Sequence, residues 1–178
     1  MTNEHYLAPA TSIAAINRFT LRIREVMGLE GKLFFPIVHF IEVILPQLDS
    51  LFELEIVDIK DMSTNYAETL PSCHSMRIRE DVYEGAIADN GRDRFTLAHE
   101  VGHYLMHQDG VVALARNDVR QEIPHFARPE WQANTFSAAL LAPPTLIRGM
   151  SIDAVATACK VSLQVAEIQL SKSINQAR

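Results

Sequence analysis

Between residues 11 and 27, apolar side chains recur at Ile13, Ile16, Phe19, Leu21, Ile23 and Val26 with charged residues between them. That spacing predicts an amphipathic helix, and Gly28 and Gly31 punctuate its end. A second helix is expected from about Pro36 to Leu45, because proline is tolerated in a first helical turn, with Pro46 and Asp49-Ser50 stopping it. The texture then changes. Residues 52–59 alternate apolar and charged side chains, as in a half-buried strand. A second alternating stretch, 76–83, is followed by the short run Gly85-Ala86-Ile87-Ala88 and by Asp89-Asn90-Gly91, a strong turn signal. Together these pieces predict a small antiparallel sheet of about three strands.

From Arg92 onward the helical period returns. Phe95 to His107 reads as one helix closed by Asp109-Gly110, and 110–128 as a mixed, polar, partly looped stretch containing Pro124. Glu130 to Leu141 forms the next helix, ended by Pro143-Pro144, and a helical pair at about 151–158 and 162–174 completes the chain. There is no internal repeat, low-complexity tract or domain-length linker. The expected fold class is α+β: residues 1–145 hold the first helices, the sheet and two site-bearing helices, and 146–178 form a helical tail.

Composition narrows the classes of function. At 178 residues the chain can bury a proper core, and its 48% apolar and 21% charged residues are ordinary for a globular domain. A formal charge of -6 argues against broad phosphate-backbone binding, so direct nucleic-acid contact is not expected. Cys73 and Cys159 stand far apart in no ligand spacing, which suits a reducing cytoplasm rather than a disulfide framework. The first residues show no basic-then-apolar leader. The most apolar stretch, Leu33 to Leu45, is interrupted by Pro36, His39 and Glu42, too short to span a bilayer.

The chemistry concentrates in His99-Glu100-Val101-Gly102-His103. Residues four apart on a helix lie one turn on and about 40° round, so both imidazoles can reach one metal ion. Glu100, about 100° from His99, flanks that face and can touch a water on the ion without ligating it, the role of a general base. A catalytic zinc wants three protein ligands and an open position. A metzincin-type third histidine is excluded, because Tyr104-Leu105-Met106-His107 follows where a glycine would be needed. Glu130, opening the later helix, is the expected third ligand. Asn134, one turn on, can hydrogen-bond a ligating imidazole and fix its ring.

Each residue also has a plainer reading. H-E-x-x-H arises by accident on solvated helices, but Phe95, Ala98, Val101, Gly102 and Leu105 make this helix largely buried, where unpaired polar groups are costly. Glu130 could simply complement a helix start, and Asn134 could be a surface residue. His107 lies about 80° round from His99 and suits a structural or ligand-supporting role, or a cation at the helix end. Tyr104 and His125 are further candidates to donate to an oxyanion. The set suits Zn, with Mn or Fe as alternatives.

The stretch Arg94 to His107, with its His99-Glu100-Val101-Gly102-His103 core, resembles the signature helix of the ImmA/IrrE family of metallopeptidases. Glu130-Trp131-Gln132-Ala133-Asn134-Thr135-Phe136 through Leu140-Leu141-Ala142-Pro143 resembles that family's second block, except that Ala142 stands where methionine is usual. The resemblance spans about residues 50–145. It implies a gluzincin-like endopeptidase with His99, His103 and Glu130 as ligands and Glu100 as base. Its members are bacterial or phage cytosolic proteins that cleave or inactivate a helix-turn-helix repressor or antitoxin-type partner. The alternative is a non-catalytic, metal-containing regulator that sequesters such a partner, although an intact Glu100 argues against a purely structural site. The tail, with Lys160-Val161-Ser162 at its turn, resembles a helix-turn-helix. Gln164 and Gln169 are accompanied there by Glu167, so packing or partner docking is expected rather than DNA reading.

Overall fold

The structure, a computed structural model, describes residues 6–62, 64–107, 112–113 and 124–175. Strand β1 (Tyr6–Leu7) is followed by helix α1 (Ile13–Val26), which starts where the Ser12 side chain accepts from the Ala15 amide. Gly28, at φ 66°, turns the chain away as expected. Helix α2 runs through Ile37–His39, a π-helical turn Phe40–Ile44 and Leu45–Leu48, so Pro46 does not stop it. A proline offers no N–H and crowds the carbonyl one turn back, and the wide π turn just before it supplies the room.

The sheet contains β2 (Glu53–Val57), β3 (Ala67–Leu70) and β4 (Ser75–Arg79), in the order β2-β4-β3, with a short helix α3 (Ile59–Met62) between the first two. It has the expected size but is mixed rather than antiparallel: β2 runs parallel to β4, from Glu53 opposite Ser75 to Val57 opposite Arg79, and only β3 is antiparallel. The larger correction concerns 76–88. The alternation ends at Arg79, and Glu80–Ile87 forms helix α4, so Gly85-Ala86-Ile87-Ala88 is not a strand. Glu80 and Asp81 put carboxylates into its first turn, where the helix dipole favours them. Val82 and Ala86, four apart, become its buried stripe. The edge strand is instead β3, whose sequence Ala-Glu-Thr-Leu carries little alternating signal.

Asn90 then caps helix α5 (Gly91–Met106), accepting from the Arg92 and Asp93 amides. The expected closure at Asp109-Gly110 lies outside the described residues. Strand β5 (Val112–Ala113) pairs antiparallel with β1, and a 3-10 turn His125–Ala127 leads into helix α6 (Pro129–Leu141). Helices α7 (Ile152–Cys159) and α8 (Leu163–Asn175) form the tail. Among the described residues no helix is long and apolar enough to cross a membrane.

Helix α5 is the centre of the molecule, burying Leu97, Ala98, Val101 and Tyr104. Its tightest neighbour is α6. A Cβ added at Gly102 would lie 3.1 Å from the Phe136 ring and 3.2 Å from the Ala133 backbone, so a larger residue would push α6 outward. That closeness brings the first turns of α6 alongside the histidines. Two buried arginines tie the surrounding loops together. Arg24 donates to the carbonyls of Leu140 at 2.6 Å, Lys32 and Leu33, and Arg94 to those of Phe35 at 2.7 Å and Lys160 at 3.1 Å. The tail adds its own bond, Gln169 Nε2 to the Ala142 carbonyl.

Candidate metal centre

His99 and His103 sit one turn apart in the middle of α5, with side chains 17% and 15% exposed, and Glu130 lies in the first turn of α6 facing them. His99 Nε2 lies 2.9 Å from His103 Nε2, 3.2 Å from Glu130 Oε2, and His103 Nε2 lies 3.3 Å from Glu130 Oε1. Three ligand-type atoms therefore converge on one point. Donors about 2.0–2.2 Å from a shared tetrahedral centre stand about 3.3–3.6 Å apart, so this set is nearly in place for a small divalent cation.

The proton arrangement on each ring follows from what its other nitrogen touches. Asn134 Oδ1, 3.1 Å from His99 Nδ1, can only accept, so Nδ1 carries the proton and the Nε2 lone pair faces the cluster. On His103 the logic runs through a longer relay. Gln132 donates its Nε2 to the carbonyls of Pro9 and Phe126, both at 2.9 Å, which fixes its Oε1 toward His107 Nε2 at 3.0 Å. His107 must then hold its proton on Nε2 and accept at Nδ1 from His103 Nδ1, 3.0 Å away. This releases the His103 Nε2 lone pair toward the cluster as well. Burial keeps His107 neutral, pushing its pKa down to about 4 against smaller opposing contributions.

Charge completes the picture. When the two Nε2 atoms carry protons instead of lone pairs, hydrogen bonds from His103, then His99, hold the Glu130 carboxyl well below the usual carboxylate range, against the opposing effect of its burial. Burial by itself would depress His99, but the Glu130 hydrogen bond and the charges of Glu100 and Glu130 outweigh it and hold its pKa above the usual histidine value. The pocket thus stabilises positive charge at its centre. Two neutral-capable imidazoles and one carboxylate are the donors that zinc accepts, with Mn and Fe also compatible.

Glu100 lies beside this cluster on α5, 8% exposed, and accepts a 2.7 Å hydrogen bond from the Thr69 hydroxyl on edge strand β3. The remaining expected residues divide. Asn134 and His107 join the site as ring supports. Tyr104 does not: it is 1% exposed, packs edge-on against Phe52 at 5.0 Å and donates its hydroxyl to Asp49, so no donor is left for an oxyanion. His125 is exposed and packs edge-on against Trp131 with ring centroids 5.1 Å apart. Thr69 and Gln132 were missed by sequence reasoning. Gln132 stands two residues after Glu130 and could have been suspected from its place in the ligand-bearing turn. Thr69 has no local signal at all, since it reaches Glu100 only through sheet packing.

Comparison with known proteins gives one finding. A family model, Peptidase_M78, described as the IrrE N-terminal-like domain, matches residues 55–171, well over half of the chain and inclusive of every residue of the cluster. No curated protein matches the chain.

Proposed function

The chain belongs to the Peptidase_M78 family of IrrE N-terminal-like domains, and from that premise we propose that it is a zinc-dependent endopeptidase that hydrolyses a peptide bond in a protein regulator. The observation that carries this reading is the convergence of His99 Nε2, His103 Nε2 and the Glu130 carboxylate beside Glu100. A structural metal site has no use for that adjacent carboxylate. His99, His103 and Glu130 would hold the ion, which when bound would polarise the scissile carbonyl and lower the pKa of the attacking water. Glu100 takes the proton of that water as its oxygen bonds to the carbonyl carbon. It then returns the proton to the amine nitrogen as the C–N bond breaks. Thr69 engages Oε2 of Glu100 and orients the carboxylate for both transfers.

Strand β3 supports the same reading. It forms an edge of the sheet and carries Thr69 next to the base, so an extended substrate segment can pair along it. The regulator is of the helix-turn-helix repressor or antitoxin kind, and the free thiols of Cys73 and Cys159 suit its encounter in a reducing cytoplasm. Incubating the zinc-loaded protein with the repressor encoded beside it, and mapping the products by mass spectrometry, tests the proposal. Glu100→Gln should keep its zinc and lose cleavage by about 10²- to 10⁴-fold. Undiminished cleavage in that variant would remove Glu100 as base, and a repressor that is bound but stays intact with zinc present would point to sequestration instead.

A further inference from the structure

Helices α5, α6 and α8 enclose a cleft of about 410 Å³, within the ~300–1,000 Å³ of small-ligand pockets. Phe95, Trp131, Val165 and Ile168 give it apolar walls, and its two charged side chains, Arg92 and Lys172, are both cationic. Among the described residues no carboxylate lines it. The cleft borders the metal centre: Asn134 both lines it and holds His99, and Trp131 directly follows Glu130 in the chain. Burial lowers the Lys172 pKa. An apolar cleft with cations at its wall complements a ligand that is both apolar and acidic.

We propose that this cleft is the subsite selecting the substrate, taking a bulky apolar side chain next to the scissile bond while Lys172 engages the carboxylate of an adjacent acidic residue. The tail is then part of the recognition surface, since α8 supplies Val165, Ile168 and the cation. The purpose of the cleft rests on the hydrolase reading, but its binding chemistry does not, and the two can fail separately.

Trp131 is the only tryptophan of the chain, so its fluorescence reports occupancy of the cleft without any cleavage. The probes are blocked hexapeptides that differ at one position, carrying Leu-Glu, Leu-Gln or Leu-Lys. The Leu-Glu peptide should perturb Trp131 and bind roughly tenfold more tightly than Leu-Lys, the gain of one hydrogen bond to a charged group. Lys172→Glu should invert that order and Lys172→Gln should level it, with circular dichroism confirming that both variants are folded. A silent Trp131, or an order that neither variant changes, would overturn the assignment. If the order holds and the zinc-loaded protein cleaves no member of an apolar–acidic peptide library, the hydrolase reading falls while the cleft stands. If the library is cleaved with no acidic preference in either the parent protein or Lys172→Glu, the cleft falls while the hydrolase reading stands.

Discussion

Helix α5 buries polar side chains at two levels, and they are treated in opposite ways. Near its start, Arg94 spends its guanidinium on the carbonyls of Phe35 and Lys160 and lies over the Phe34 ring at 4.4 Å. Two turns on, His99 and His103 spend only one nitrogen each on protein support and leave the other aimed, with Glu130, at a common point. Both clusters are costly to bury, and both are offset by hydrogen bonds. The difference lies in what is left over. A polar group that satisfies its neighbours completely fastens the fold, whereas one that keeps an oriented lone pair in reserve is available for chemistry.

Severing the first cluster should give the largest effect. Arg94→Met leaves the buried Phe35 carbonyl and the part-buried Lys160 carbonyl without their donor and should cost about 2–4 kcal/mol of stability, read as a lower urea midpoint, while zinc affinity of the folded fraction is unchanged. A parallel loss of zinc affinity would mean that the two clusters are not separable. Gln132→Leu should lower zinc affinity by about 10–100-fold in competition with a chromophoric chelator, because His107 and then His103 lose their fixed orientation, with a smaller loss of stability because the Pro9 and Phe126 carbonyls lose their donor. Asn134→Ala should fall at the low end of that range, about tenfold, since water can reach the more open His99 side in place of the amide. Equal losses in these two variants would contradict the idea that the longer relay is the stricter one.

The smallest effect concerns the opposite face of α5, where Asp49 joins Tyr104 to His74. Hydrogen bonds from Tyr104, then His74, and from the Leu51 amide push the Asp49 pKa down to about 2. A carboxylate depressed in the folded state stabilises the fold above its unfolded pKa, and the stabilisation fades as pH falls from about 4 toward 2. Asp49→Asn should therefore lower stability at neutral pH slightly and flatten the acid limb of urea midpoint against pH. An unchanged limb would show that the pair contributes nothing.

How much of this was legible beforehand varied with the range of the interaction that decides it. Helices α1, α5, α7 and α8 have side-chain caps, α6 opens on Pro129 in place of one, and all five have punctuation and apolar faces within one or two turns, so their chain order could be read directly. The ligand positions were legible for the same reason: His99 and His103 share one face of one helix, and Glu130 opens the next. Residues 80–87 were not, because an alternating run that ends at Arg79 looks locally like one that continues to Tyr83. Only the pairing of Val82 and Ala86 against the core decides for helix. The strand at 67–70 and the bond from Thr69 to Glu100 were invisible because nothing in Ala-Glu-Thr-Leu announces a sheet edge. Tyr104 shows the reverse error, since its place beside the ligands in sequence says nothing about the direction in which it points.

The relay behind His103 also carries a statement about time. Its outermost bond joins Gln132 to the Pro9 carbonyl across 123 positions of chain. Closing so long a loop is entropically expensive until the intervening residues are in place. The relay is thus held by both of its carbonyls only when the chain around Pro9 has returned to meet α6. A chain whose early residues have not docked keeps Gln132 on the Phe126 carbonyl alone, so full metal affinity marks a molecule in which residues 9 and 132 have met.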